Sequence, residues 1–330
     1  MEDGYMESKS HSLHLVAEDQ RAFVAQLIDE APTQEIVANA AFFTAFRDNT
    51  KEIIAQLVPP QSNGERVVLD DYREDVSVLV YYPKNNAKKA QYSCLYYIHG
   101  GGHISGFAAM YDATLQNKAD TLDVIVVAID YRLSPEHPYP SSLLDSFAGF
   151  EWVIKNSSTL NINPNKVSIM GESAGGGLTA ALNLYIRDQS AYKVKSQILI
   201  YPMLDCETSY QAENLANVYC GEFIWTHPFN KIAWKALLGN HDLTRDADQG
   251  YYSPALAKNL KNLPETYIVV GSLDLFFSES LVYADRLVKS GVSVKLEVIA
   301  GAIHLFDLFE SETADHFNQQ LNITLKKLVD

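Results

Sequence analysis

Ser173 stands in VSIMGESAGGG, where the β-branched run from Val167 to Met170 leads directly into Gly171-Glu172-Ser173-Ala174-Gly175. A serine in G-x-S-x-G, between a strand and a helix, is carried on a turn so sharp that its hydroxyl stands clear of the backbone. Glycines at 171 and 175 leave room where the two elements crowd together. The chemistry this suits is nucleophilic acyl transfer, which also needs a base, an acid to orient it and donors for a developing oxyanion. A glycine- and serine-rich pentapeptide also arises by chance, so its meaning depends on those other groups.

They are present downstream and upstream. Asp274 lies in VVGSLDLFF just past one apolar run, and His304 lies in VIAGAIHLFDLF just past the next. Serine, acid, then histidine, each at a strand end, resembles the chain order that accompanies such a serine turn in α/β-hydrolases. The implied roles are Ser173 as nucleophile, His304 as general base and then acid, and Asp274 fixing the imidazole tautomer. Asp274 also stands where a helix cap would, before a helix at 278–287, and Glu279 and Asp307 are competing carboxylates. Upstream, Tyr97-Ile98-His99-Gly100-Gly101-Gly102-His103 follows another apolar run. Its glycines let backbone N–H groups converge, so Gly101, Gly102 and Ala174 are the expected oxyanion donors. The glycines do not form a phosphate loop, because the G-x-x-x-x-G-K-[ST] pattern is missing. His99 and His103 have no third partner for a metal, and His99 is expected to brace the loop. Glu172 is assigned a structural hydrogen-bonding role. Asp130, Arg132 and Glu136, in the proline-rich run DYRLSPEHPYP, read as polar scaffolding under the site.

The elements that must position these groups follow from hydrophobic patterning. Residues 1–60 read mainly as helix, in RAFVAQLIDEA and QEIVANAAFFTAFRDNTKEIIAQLV, and are broken by Pro59-Pro60 and Ser62-Asn63-Gly64. ERVVLDDY and DVSVLVYYP alternate, as an antiparallel pair at a sheet edge would. Buried strands are expected at 94–99, 123–130, 166–170, 197–202, 265–271 and 293–301. Helical segments lie between most of them, which predicts an α/β fold: a mostly parallel, eight-stranded sheet with helices on both faces. Residues 203–250 interrupt the rhythm with a helix-like PFNKIAWKALLGN and no strong strand. The expected division is a catalytic core of 61–202 and 251–330 beneath a helical cap built from 1–60 and 203–250.

Composition excludes several functions. The chain has 41 acidic and 26 basic residues, a net charge of −15, which argues against nucleic acid and anionic membranes. The N-terminal segment shows no secretory pattern and the sequence no long apolar run, so a cytoplasmic location without membrane insertion is expected. Cys94, Cys206 and Cys220 form no close-spaced metal or redox motif.

YIHGGGH at 97–103, DYRLSPEHPYP at 130–140, GESAGG at 171–176 and the Asp274 and His304 segments together resemble the hormone-sensitive-lipase-like α/β-hydrolases, especially bacterial carboxylesterases. The resemblance spans roughly 65–315. It implies a carboxylic ester hydrolase acting on small-molecule esters with short-chain acyl or aryl groups, without cofactor or metal, and by family habit a homodimer. It departs from the family at Glu172, commonly Asp, and at Leu275, commonly Pro. An amide or aryl-formamide hydrolase on the same fold, or a catalytically silent ligand-binding receptor, are the rival readings.

Overall fold

The computed structural model describes residues 10–30, 36–57, 63–84, 89–209, 217–240 and 247–330. Two helices come first, α1 (Glu18–Glu30) and α2 (Ala40–Leu57). The periodic pattern begins at Gln34, yet α2 starts six positions later, because Asn39 caps it. Its Oδ1 accepts the Phe42 N–H at 3.0 Å, a position that short polar side chains favour over a helix interior. Ala31, Gln34, Glu35, Pro59, Pro60 and Ser62 lie outside the described residues.

Strands β1 (Glu65–Leu69) and β2 (Arg73–Tyr81) pair antiparallel. The chain then alternates: β3 (Tyr92–Ile98), α3 (Asp112–Leu122), β4 (Ile125–Asp130), α4 (Ser141–Lys155), β5 (Ile162–Glu172), α5 (Ala174–Gln189) and β6 (Ser196–Ile200). After α6 (His227–Leu238) follow β7 (Glu265–Gly271), α7 (Phe277–Lys289), β8 (Val294–Ile299) and α8 (Glu312–Val329). One eight-stranded sheet results, in the order β1-β2-β4-β3-β5-β6-β7-β8. From β4 to β8 every pairing is parallel, and β2 joins β4 antiparallel. This is the architecture the sequence predicts, with boundaries moved by a few residues.

Alternation along β3 shows how the sheet is covered. Cys94, Tyr96 and Ile98 belong to a core that includes Phe150 of α4 and Leu182 of α5. Leu95 and Tyr97 belong to the opposite core, with Leu115 of α3 and Leu325 of α8. Successive side chains point to opposite faces, so a strand buried on both sides must be apolar throughout. The parallel arrangement then delivers the segments after β3, β5, β7 and β8 to one edge of the sheet, where ligands bind in open α/β folds.

The loop after β4 is held by charge. Arg132 forks onto Asp145 of α4, with Nε and Nη2 at 2.8 and 2.7 Å. Asp145 also accepts the Arg132 N–H and the Tyr72 hydroxyl. Asp145 is completely buried. Removing one partner of such a pair leaves the other charge stranded. Asp145→Ala is expected to cost about 3–5 kcal/mol by chemical denaturation. Glu136→Ala, which breaks the more exposed pair with Arg47, is expected to cost under about 1 kcal/mol. Equal losses would contradict this account of the loop.

Candidate active site

Ser173 joins β5 to α5 at φ 55° and ψ −120°, a conformation that a side-chain-bearing residue adopts only when its surroundings enforce it. Its N–H donates to the Ile200 carbonyl at 2.9 Å, and its carbonyl accepts from Gly177 and Met203, each at 3.0 Å. The flanking glycines are required by distance. A Cβ on Gly171 would lie 2.1 Å from the Gly175 carbonyl oxygen, and one on Gly175 would lie 2.2 Å from that of Ile98.

The Ser173 Oγ lies 2.9 Å from His304 Nε2, and His304 Nδ1 lies 2.7 Å from Asp274 Oδ2. The other Asp274 oxygen accepts the Phe276 N–H at 2.9 Å. With Nδ1–H donated to the carboxylate, Nε2 carries the lone pair that faces the serine hydroxyl. All three side chains are buried. The competing carboxylates are engaged elsewhere. Glu279 accepts the Leu204 N–H and the Thr208 hydroxyl, and Asp307 accepts the Tyr201 hydroxyl. Asp274 thus meets the imidazole and is not the cap of α7, whose N-cap is Phe276 without a side-chain capping bond.

The glycine loop lies against Ser173: a Cβ on Gly100 would be 3.4 Å from the serine Cβ. Gly101 and Gly102 have φ of 112° and 63°, conformations that favour glycine. The Gly101 carbonyl accepts the N–H groups of Ile104 and Ser105. Among the described residues, no hydrogen bond uses the N–H of Gly101, Gly102 or Ala174. His99 packs flat on Tyr131, ring centroids 4.1 Å apart, and its Nδ1 meets the Gly100 carbonyl at 2.8 Å. It braces the loop as expected. His103 is buried, and burial pushes its pKa down to about 3.

Two residues that sequence reasoning passed over complete the site. Trp225, from the segment between β6 and α6, covers the loop so closely that a Cβ on Gly102 would meet its ring at 2.3 Å. Arg47 of α2 donates to the Ile104 and Ser134 carbonyls at 2.7 and 2.8 Å. No local pattern marks either one. A single tryptophan in an irregular segment and a single arginine on an amphipathic helix are common, and only tertiary structure brings them here.

Behind Ser173 lie the buried Glu172 and Lys118 and the half-buried Asp307. Burial raises the Glu172 carboxyl to about 7, the Asp307 charge adds to the rise, and Lys118 and the hydroxyls of Tyr97 and Tyr111 oppose it. Burial likewise raises Asp307 and lowers Lys118. Glu172 Oε2 has no hydrogen-bond partner among the described residues, so the hydrogen-bonding role expected of this residue is only partly met. Its folded pKa lies above the ordinary value of 4.5. The unfolded chain therefore releases this proton first, and stability falls as pH rises from about 4.5 to about 7. Glu172→Gln is expected to narrow the stability difference between about pH 5 and pH 8 by up to about 3 kcal/mol in urea denaturation. An unchanged difference would contradict the burial of an ionising carboxyl here.

Comparison with known proteins identifies the family and the fold. A family model described as alpha/beta hydrolase fold matches residues 95–308. Esterase LipI of Mycobacterium tuberculosis is 29% identical over 262 residues, covering 79% of this chain and 80% of that protein. An arylesterase of Saccharolobus solfataricus is 28% identical over 268 residues, covering 80% and 84%. The solved structure of a bacterial heroin esterase superimposes with a TM-score of 0.82 over 96% of this chain and 99% of that one, at 24% identity, a likeness of fold. The family match spans more than half of the sequence and takes in the glycine loop, Ser173, Asp274 and His304, and on that ground the chain belongs to the alpha/beta hydrolase family, in the hormone-sensitive-lipase-like group that its motifs resemble.

Proposed function

We propose that the protein is a serine carboxylesterase that hydrolyses small carboxylic esters through an acyl-enzyme on Ser173. The observation that carries this reading is the continuous chain from Ser173 Oγ through His304 to Asp274, at 2.9 and 2.7 Å, facing the glycine loop. In the first half-reaction His304 Nε2 takes the serine proton as Oγ bonds to the ester carbonyl carbon. The resulting oxyanion is held by the N–H groups of Gly101, Gly102 and Ala174. The carbon–oxygen bond to the alcohol breaks, and His304 returns the proton to the leaving alkoxide. A water molecule then gives a proton to His304 and attacks the acyl carbon, which releases the carboxylic acid and regenerates Ser173. Asp274 stabilises the imidazolium formed in each half.

Residues 1–60 and 203–250 form the cap of this enzyme and 61–202 with 251–330 its core. Three contacts support the cap: Phe46 of α2 against Phe229 of α6, centroids 5.8 Å apart, the Arg47 bonds to the glycine loop, and Trp225 over Gly102. Residues 1–9, 31–35, 58–62, 85–88, 210–216 and 241–246 of these ranges lie outside the described residues. The Trp225 ring over the glycine loop supports flat aryl leaving groups and short acyl chains. Among the described residues no helix is long and apolar enough to cross a membrane. A cytoplasmic location is supported by the free thiols of Cys94 and Cys220. A homodimer is supported by edge strand β8, which exposes Leu296 and Val298. The acidic surface, net charge −15, favours small substrates over nucleic acid.

A series of p-nitrophenyl esters from acetyl to dodecanoyl tests the reading. Turnover is expected to peak at the short chains, and Ser173→Ala is expected to lower kcat by about 10⁴-fold or more. Full turnover by that variant, or faster hydrolysis of a matched anilide than of the ester, would overturn it. Gly102→Ala adds a side chain at positive φ against Trp225 and displaces an oxyanion donor, so kcat is expected to fall at least about 100-fold. A kcat near that of the unsubstituted enzyme would remove Gly102 from the oxyanion site.

A further inference from the structure

Tyr201 follows β6 directly and has no part in the acyl-transfer steps, yet it is completely buried beside them. Its ring meets the His304 imidazole edge-on, centroids 4.9 Å apart and planes at 66°. Its hydroxyl donates to Asp307 Oδ1 at 2.9 Å. Asp307 lies three residues after His304, in the short helical turn Phe306–Leu308. The backbone of Tyr201 is also fixed: its N–H donates to the Val269 carbonyl at 2.6 Å, and its φ is 35°, a value side-chain-bearing residues rarely adopt. One side chain therefore ties the end of β6 to the loop that carries His304.

A single hydrogen bond from Nδ1 to Asp274 holds the imidazole at one point and leaves it free to tilt about that point. Its faces and edges must be confined by neighbours if Nε2 is to stay on Ser173. Phe276 stands against the ring at 5.2 Å and 86°, and Tyr201 stands against it from a different strand end. The bond to Asp307 fixes where the Tyr201 ring stands, and a buried phenol left without an acceptor is costly.

We propose that Tyr201 and Asp307 are a positioning pair for His304: the Asp307 carboxyl anchors the Tyr201 hydroxyl, and the anchored ring sets the tilt that points Nε2 at Ser173. This rests on the reading of His304 as the general base. Both residues act through His304, so their loss is expected to fall on the chemical step rather than on substrate binding. The effect is geometric, and a misplacement of about 1 Å at a reacting group costs about 100-fold in rate.

Steady-state kinetics with p-nitrophenyl acetate test this. Tyr201→Phe deletes one oxygen and keeps the ring. It is expected to lower kcat by about 5- to 10-fold with KM unchanged within about twofold, as for an interaction made only in the transition state. Asp307→Ala removes the acceptor and is expected to do the same. The double variant is expected to be no slower than the slower single one, because both cut the same bond. Asp307→Asn keeps an acceptor oxygen, and its kcat is expected within about twofold of the unsubstituted enzyme. Tyr201→Leu removes the ring wall and is expected to lose about 100-fold. If Asp307→Ala fails to fold, as thermal melting would reveal, Tyr201→Phe and Asp307→Asn still decide. An unchanged kcat in Tyr201→Phe, a loss confined to KM, or an additive double variant would overturn the proposal. Absence of ester turnover in the unsubstituted protein would instead overturn the hydrolase reading on which it rests.

Discussion

Close approach of three backbone segments at Ser173 is the constraint on which the rest of the site depends. The turn into α5 brings the Gly171 and Gly175 backbones together, and Gly175 in turn presses on the carbonyls of Ile98 and His99 at the end of β3. Side chains cannot be accommodated at either glycine. The same contact places the nucleophile, the first turn of α5 and the start of the glycine loop within one small volume. The Ser173 N–H bond to Ile200 and the Met203 N–H bond to the Ser173 carbonyl hold the strained conformation, so part of the stability of the central sheet sustains geometry at its edge.

Burial supplies the second half of the account. Ser173, His304 and Asp274 are nearly inaccessible, and charges that form in such surroundings are weakly screened. The carboxylate bonded to the imidazole, and the oxyanion donors proposed beside it, would act more strongly there than in water. The cost appears directly behind the site, where Glu172, Asp307 and Lys118 share a region that favours the neutral form of each. Tyr201 connects that region to the imidazole through its bond to Asp307. Pressure to enclose the reacting groups thus also encloses ionisable ones that do no chemistry themselves.

Much of this was legible in the sequence because the relevant signals are local. GESAG after a Val/Ile run, HGGG after another, and an acid and a histidine past successive strands each announce a strand end. The parallel sheet follows from continuous apolar strands between helices, and β7 appears with the predicted bounds. What stayed hidden depends on tertiary approach. Asp274, Glu279 and Asp307 all follow β7 or β8 in chain order, and only the distances separate their roles. Trp225 and Arg47 reach the glycine loop from segments whose sequences point nowhere in particular. Asn39 shortened α2 by a cap that a periodicity pattern overlooks.

The central claim is that Ser173 carries the acyl group between two half-reactions. Rapid mixing with an excess of p-nitrophenyl acetate, quenching in acid and mass mapping of the digested protein measures this most directly. A burst of p-nitrophenol close to one equivalent is expected, together with one acetyl group on the peptide that contains Ser173. Steady turnover with no burst and no acylated peptide, or acetyl on a different residue, would contradict the mechanism.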